Sequence, residues 1–409
     1  MRSTASTWAF TSRRPRHLLA ATAAFLSLTF AGAVWPQSAA ALPDGTDDTS
    51  SVESSNAQVP VGVTAGVAVF DRQTGTFTEQ LNASTQFRSA SIIKLLLALD
   101  FLWTRGPDYT VPAADRTRLN AMLRSSDDNA ANHYWSHYGE SAIVNRMTSQ
   151  LGLTDTAPPP AGQEQMWGYT ATSARDTVKI YRYLLDRAPA PVRDLIMGNL
   201  RQSTRCASDA FDQHFGIAAA FDRPWAVKQG WSGGATGFGP GTCGPASAAS
   251  APADVSGPSA PTAASADLRR PALHTTGTVG AGDRSIVAVF SLHPDGTSYG
   301  KAFTDIGRLT RSLTVPGASV PSGKWYGTWS SGVNVREEPL IGDGNVLTRL
   351  PAGVEVLVGC QKKGQVVSVP PYTNEWWAYL PQYGGYISNI YISHPDNQLP
   401  DVPLCSSQQ

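Results

Sequence analysis

The order of the predicted helices and strands constrains the fold more than any other feature of this sequence. Two strands joined by a turn come first, at 63–70 and 76–81, and a dense apolar run without Gly or Pro follows at 91–104. That run predicts a mostly buried helix. Further helices are predicted at 113–124, 129–138, 140–151 and 173–186, three strands at 225–228, 273–279 and 285–292, and a last helix at 299–313. This order predicts an α+β domain in which helices cover a largely antiparallel sheet.

The first 41 residues have the pattern of an export signal. Arg13, Arg14 and Arg16 precede an apolar stretch at 18–34, and three alanines at 39–41 offer a cleavage site. The arginines leave open whether the Sec or the twin-arginine route is used. No cysteine lies near the cleavage site, so no lipid or membrane anchor is expected there. The pattern predicts a secreted, extracellular protein.

The remaining chain divides by composition. Residues 42–58 are polar and predict a flexible lead, and 59–315 hold the elements of the α+β domain. Within that domain, 244–267 contain 9 Ala, 5 Ser and 4 Pro in 24 residues, which predicts a disordered insertion. A short linker at 316–322 leads to 323–409, where 10 Trp and Tyr fall within 67 residues in short strand-like pieces. These pieces predict a second, small all-β domain.

Four cysteines in an exported chain favour two disulfides. Cys206 and Cys243 fall in one region and Cys360 and Cys405 in another, so pairing within each region gives 206–243 and 360–405. There is no CxxC motif and no close Cys/His cluster, so no metal is expected. No cofactor is expected either. The 32 basic and 32 acidic residues cancel, which argues against a nucleic-acid partner.

The sharpest chemical pattern is the pair Ser91 and Lys94. At a helix start, the two side chains share one face, and the helix N-terminus places backbone N–H groups beside the serine oxygen. A neutral lysine there could accept the serine proton, which an unactivated hydroxyl needs in order to attack a carbonyl. Alone, the pattern is also that of a capping serine with a solvated lysine.

Two further motifs accompany this pair. Ser126-Asp127-Asp128 lies between two predicted helices, and Lys228-Gln229-Gly230-Trp231 ends a predicted strand. In order and spacing, the three motifs resemble the SxxK, SDN and KTG set of the penicillin-recognising serine hydrolases. The resemblance covers about residues 60–315 and points to the serine β-lactamases of class A type and to the D-alanyl-D-alanine peptidases.

The resemblance implies a role for each matching residue. Ser91 would be the acylated nucleophile, Lys94 its proton acceptor, and Ser126 a relay to the leaving nitrogen. Lys228 would direct positive charge toward a substrate carboxylate. The backbone N–H groups of Ser91 and Trp231 would form the oxyanion hole. The substrate would be a small-molecule β-lactam or a cell-wall peptide.

Three positions depart from the family pattern. Asp128 replaces the asparagine of SDN, so an acceptor stands where a donor normally holds a substrate carbonyl. Either the substrate supplies a donor or a cation there, or Asp128 has another role. Gln229 replaces the hydroxyl residue of KTG, and Trp231 adds bulk beside it. Together with Asp128 and Lys228, both are expected to contact the substrate. The family's ExxLN glutamate is also missing, and Glu164 is a poor substitute that we interpret as a surface carboxylate.

The C-terminal region resembles a bacterial SH3-like barrel. Val333-Asn334-Val335-Arg336, the Leu-Pro-Ala-Gly run at 350–353 and the aromatic run at 376–379 carry this likeness. It implies either a contact with peptidoglycan or a small aromatic core with no ligand. For the whole chain, we predict a secreted serine acyl-hydrolase of β-lactamase or D,D-peptidase type. The alternatives are a non-catalytic wall-binding protein and an esterase or amidase that uses the same pair.

Three other patterns are weaker. His133 and His137 are four residues apart on a predicted helix, but no glutamate follows His133, so a packed or solvated pair is expected. The glycines at 233–244 are interpreted as turn residues, because no Lys-Ser/Thr helix follows them. Asp283 is assigned to a hairpin turn.

Overall fold

The computed structural model describes residues 55–233, 243 and 266–406. The predicted export signal at 1–41 lies outside these residues, as do most of the flexible lead at 42–58 and most of the insertion at 244–267. Most of the glycine stretch at 233–244 also lies outside them. Among the described helices, none is long and apolar enough to cross a bilayer.

A five-stranded antiparallel sheet forms the centre of the first region, in the order β2-β1-β7-β6-β5. Its strands are β1 (Thr64–Asp71), β2 (Thr76–Leu81), β5 (Trp225–Ser232), β6 (Ala272–Val279) and β7 (Ser285–Leu292). Two short strands, β3 (Phe87–Arg88) and β4 (Ala171–Thr172), pair separately. The prediction of a strand ending at 228 was wrong, because β5 stays paired with β6 as far as Ser232 opposite Ala272. The Lys228 motif therefore lies inside a strand.

Eight helices are described in this region. They are α1 (Lys94–Trp103), α2 (Ala113–Arg124), α3 (Asp128–His137), α4 (Ser141–Leu151), α5 (Ala174–Asp186), α6 (Ala190–Arg201), α7 (Ile217–Ala220) and α8 (Tyr299–Arg311). The predicted start at 173 is confirmed, since the Ser173 side chain accepts a hydrogen bond from the backbone N–H of Asp176. The predicted stop at Gly152 is confirmed by its left-handed conformation. Helices α6 and α7 were not predicted.

The sheet is covered on both faces. Because successive side chains of a strand point to opposite sides, Ala68 and Phe70 of β1 join a core with α1–α6. Val67 and Val69 join the second core, which contains α7 and α8. The α+β prediction is confirmed, and the antiparallel order agrees with it.

The C-terminal region is all-β in the described residues, with short 3₁₀ turns. Five strands form one antiparallel sheet in the order β10-β9-β14-β13-β12, and two strands pair as β11-β8. The strands are β8 (Lys324–Gly327), β9 (Val333–Arg336), β10 (Val346–Leu350), β11 (Glu355–Val358), β12 (Cys360–Val369), β13 (Tyr372–Leu380) and β14 (Gly385–Ser388). The region packs on α8: Arg308 and Arg311 both bind the carboxylate of Glu355, and the second core continues into it through Val354 and Val356.

Both predicted disulfides are present. Cys206 joins Cys243 and Cys360 joins Cys405, with Cα atoms 5.5 Å and 4.9 Å apart. The predicted turn at Asp283 is also present, because Asp283 has a positive φ of 55° between β6 and β7. The first disulfide holds residue 243 to the segment that precedes α7, beside the candidate site.

Candidate active site

Ser91 lies in a 3₁₀ turn, Ala90–Ile93, that leads directly into α1. The turn packs against β5 so closely that a Cβ on Gly230 would lie 3.0 Å from the carbonyl oxygen of Ser89. A side chain at this position of the Lys228 motif would therefore push the turn away from the strand. Ala90 adopts a left-handed φ of 45°, which is strained for a residue with a side chain. The site's first motif is thus held in a fixed position against its third.

Lys94 is the first residue of α1, and its side chain is fully buried. Its Nζ donates to the carbonyl oxygen of Ser126 at 2.6 Å, to Ser126 Oγ at 3.2 Å and to Asp128 Oδ1 at 2.5 Å. These three contacts satisfy all three donors of an ammonium group. In this structure, Lys94 therefore has the surroundings of a charged lysine.

Ser126 joins the two lysines of the site. Its Oγ accepts from Lys94 Nζ and, at 2.8 Å, from Lys228 Nζ, which also donates to the carbonyl oxygen of Gln229 at 2.8 Å. Ser126 has a left-handed φ of 55°, and α3 begins two residues later with Asp127 as its cap. Strained backbone of this kind is common at functional sites. The structure therefore places Ser126, Lys94 and Lys228 in one hydrogen-bonded chain.

Burial is the largest influence on the pKa of both lysines. It lowers the pKa of Lys94, while the carboxylates of Asp128, Asp209 and Asp127 oppose that decrease. It lowers the pKa of Lys228 much further, and the nearby charge of Lys94 adds to the effect. A buried ammonium without a carboxylate partner loses its proton more easily. The two lysines therefore differ in how readily each becomes a neutral amine.

Asp128 is the exposed member of the motif, with 52% of its side chain accessible. Its Oδ1 binds Lys94, whereas its Oδ2 has no hydrogen-bond partner among residues 55–233, 243 and 266–406. The neighbouring Asp127 points elsewhere and accepts from the backbone N–H of Ala130 at 2.7 Å. Of the two carboxylates, Asp128 is therefore the one with an oxygen that is available to a ligand.

Gln229 is fully buried. Its Nε2 donates to the carbonyl oxygens of Gln213 at 3.1 Å and Phe215 at 2.6 Å. The Gln229 side chain therefore binds the segment before α7. It has no free donor to offer a substrate.

Trp231 lies at the edge of the site and is half-buried. Its ring stacks on Phe211 with centroids 4.8 Å apart, and its Nε1 donates to Asp209 Oδ2 at 3.2 Å. Burial raises the pKa of Asp209, and the charge of Asp128 adds to this increase. Sequence reasoning missed Asp209 and also Trp167, whose ring centroid lies 4.8 Å from Lys94 Nζ.

Glu164 and the histidine pair lie apart from this network. Glu164 is exposed, and its Oε1 accepts from the backbone N–H of Gly162 at 2.9 Å, which lowers its pKa. His133 and His137 stack on each other with ring centroids 4.3 Å apart. Within the described residues, no group of three or more His, Cys, Asp or Glu is arranged to hold a metal ion.

Comparisons with known proteins give partial likenesses. No family model matches the chain. Proteins named "Putative lipoprotein LppW" from Mycobacterium bovis and Mycobacterium tuberculosis are 39% identical over 177 residues, which is 42% of this chain and 55% of each relative. The chain thus spans about half the length of the curated relatives it matches.

Solved structures with some likeness include a class A β-lactamase from Mycobacterium abscessus and the protein PBP-A. The first is 18% identical with a TM-score of 0.43, covering 61% of this chain and 92% of that one. The second is 16% identical with a TM-score of 0.43, covering 62% and 89%. Likenesses of this size do not assign an activity.

Proposed function

We propose that this protein is an exported serine acyl-hydrolase of the β-lactamase and D,D-peptidase type, acting through an acyl-enzyme on a β-lactam or a cell-wall peptide. The observation that carries the proposal is the buried hydrogen-bonded chain Lys94–Ser126–Lys228, one turn from Ser91. The three residues come from separate motifs. Two buried lysines around one serine hydroxyl are costly unless they serve a function.

In the proposed reaction, Lys94 first becomes neutral and accepts the Ser91 proton as Ser91 Oγ attacks the acyl carbon. The backbone N–H groups of Ser91 and Trp231 stabilise the oxyanion. The leaving nitrogen then takes the Ser126 hydroxyl proton, and Ser126 is reprotonated from Lys94. Water hydrolyses the ester in a second step.

Lys228 and Gln229 have different roles in this proposal. Lys228 would attract a substrate carboxylate, and a bound carboxylate would favour its charged form against the effect of burial. Gln229, with its amide bonded to the backbone of Gln213 and Phe215, would position the wall of the site. It would not contact substrate, in contrast to the sequence prediction.

A non-catalytic binding protein is the second candidate. It is favoured by the three contacts of Lys94, which suit an ammonium and leave no lone pair for the Ser91 proton. An esterase or amidase would use the same Ser91 and Lys94. Covalent chemistry at Ser91 separates the enzymes from the binder.

Two further proposals concern location and the C-terminal region. Export is supported by the two disulfides, by the predicted signal segment, and by relatives that are named lipoproteins. A bacterial SH3-like identity for 323–409 is supported by its short antiparallel strands, although the described strands form two sheets. A sedimentation assay with purified peptidoglycan tests whether this region binds the wall.

The test of the proposed function is labelling with a fluorescent penicillin, followed by mass spectrometry of the labelled peptide. We expect a covalent adduct on Ser91 that the Ser91→Ala protein does not form. An adduct on another residue, or an adduct that persists in Ser91→Ala, would contradict the assignment. Absence of any adduct in the wild type would favour the binding protein.

A further inference from the structure

We propose that the site selects an acyl donor that carries a positively charged ammonium group, which Asp128 and Asp209 would hold beside Trp167. This inference rests on the proposed function and names the substrate class for it. Lys94 Nζ lies 2.5 Å from Asp128 Oδ1 and 4.8 Å from the centroid of the Trp167 ring, and a second carboxylate, Asp209, is bound to Trp231 at the edge of the site.

The first observation is the free oxygen of Asp128. Ser91, Lys94, Ser126 and Lys228 are all nearly inaccessible, whereas half of the Asp128 side chain is exposed. Its Oδ2 lacks a hydrogen-bond partner within the described residues. An ionised carboxylate can only accept hydrogen bonds, so its natural partner in a ligand is an N–H donor or a cation.

The second observation is the position of Asp209. Its Oδ2 accepts from Trp231 Nε1 and its Oδ1 from the backbone N–H of Phe211 at 3.0 Å, so the carboxylate is held in one orientation. The negative charge of Asp128 opposes that of Asp209 and contributes to the raised pKa of Asp209. A ligand cation between them would remove that repulsion.

The third observation is the position of the Trp167 ring. The Trp167 ring already faces a cation, Lys94 Nζ, and it is fixed by a 2.7 Å hydrogen bond from its Nε1 to Asn132 Oδ1. The ring is half-buried, so part of it remains accessible. Aromatic faces next to carboxylates are a common way for proteins to bind ammonium groups.

A ligand ammonium group would also favour the neutral form of Lys94, the proposed base. Four charged groups influence the pKa of Lys94: the negative charges of Asp127, Asp128 and Asp209 favour its charged form, and the positive charge of Lys228 opposes it. A ligand ammonium paired with Asp128 would take over the carboxylate that now stabilises the Lys94 charge. Lys94 would then release a proton to solvent and become the neutral amine that acylation requires.

The test compares ampicillin with benzylpenicillin, which differ by one ammonium group beside the side-chain amide. The second-order acylation constants are measured at one pH for wild type, Asp128→Asn, Asp209→Asn and, as a matched control, Asp127→Asn. We expect wild type to prefer ampicillin by roughly five- to tenfold, the effect of a partly exposed ion pair strengthened by a ring. The preference should vanish in Asp128→Asn, decrease in Asp209→Asn and persist in Asp127→Asn.

The outcomes separate this inference from the proposed function. If both drugs label Ser91 but wild type shows no preference, or if Asp128→Asn keeps the preference, the inference is overturned and the hydrolase proposal stands. If neither drug labels Ser91, equilibrium binding of both to the Ser91→Ala protein, measured by calorimetry, decides. Tighter binding of ampicillin supports the cation site, and equal or undetectable binding overturns it.

Discussion

The two lysines of the site are both buried and both donate to Ser126 Oγ, yet their surroundings differ. Lys94 has three acceptors, one of which is the Asp128 carboxylate at 2.5 Å. Lys228 has two acceptors within the described residues, and both are uncharged. Burial lowers the pKa of both lysines, but the contact with Asp128 opposes that decrease for Lys94, whereas the positive charge of Lys94 adds to it for Lys228. Lys94, the proposed base, is thus the lysine whose positive charge is better stabilised. Lys228, which is proposed to attract a carboxylate, is the lysine that loses its proton more easily.

Replacing Lys94 should have the largest effect on acylation. Lys94→Met removes the proposed proton acceptor while preserving most of the side-chain volume. We expect penicillin acylation to slow by roughly 10³-fold, in the range of a general base. Stopped-flow labelling measures the rate, and circular dichroism checks that the variant is folded. A rate near that of wild type would show that Lys94 is not the base.

Replacing Lys228 should have a smaller effect. Lys228→Met removes a charge-binding group and one of the two donors to Ser126 Oγ, so we expect acylation to slow by roughly 10²-fold. The decrease should appear mainly as weaker binding, seen in the concentration dependence of labelling. If Lys228→Met is slower than Lys94→Met, the proton acceptor lies at the Lys228 end of the chain.

Removing the carboxylate should make the two lysines more alike. Asp128→Asn takes away the largest contribution that raises the pKa of Lys94, so that pKa should decrease. Acylation needs the neutral amine, so its rate rises with pH through this pKa, and the profile should move toward lower pH. At fixed pH below the midpoint, benzylpenicillin acylation should increase by roughly three- to tenfold. Slower acylation, or a profile shifted to higher pH, would show that the carboxylate assists catalysis with this drug.

The smallest effect concerns the second half of the reaction. Glu164 is exposed and bonded to its own loop, so Glu164→Gln should change the decay of the penicillin adduct by less than about twofold. The adduct should persist after excess drug is removed, because the sequence lacks the ExxLN pattern whose glutamate activates the deacylating water. Intact-protein mass spectrometry follows the decay. Decay within about a second in the wild type, lost in Glu164→Gln, would identify Glu164 as the base for deacylation.

Local signals in the sequence predicted most of the elements and much of the candidate site. Ser173 and Gly152 marked helix ends because capping depends on neighbouring residues. The motif resemblance assigned Lys94, Ser126 and Lys228 to one site, and the three side chains are hydrogen-bonded together in the structure. Helix α6 was missed even though Pro191 near its start was a readable sign.

The remaining features depend on contacts that no local pattern encodes. Asp209 reaches the site because Trp231 and Phe211 stack across a segment of twenty residues. The side-chain contact of Gln229 with Gln213 and Phe215 likewise depends on how that segment folds back on β5. A substitution in a motif could be recognised from sequence, but the partner that explains it could not.

The contact between α8 and the C-terminal strands has a consequence for how this chain could change during evolution. Arg311 binds Glu355 and lies over the ring of Trp325, and Gly300 is so close to the carbonyl oxygen of Ala352 that a side chain there would collide with it. Ile306 and Val356 belong to one apolar core. Recombination that exchanged the C-terminal region would need matching changes on α8, so the two regions should be inherited together.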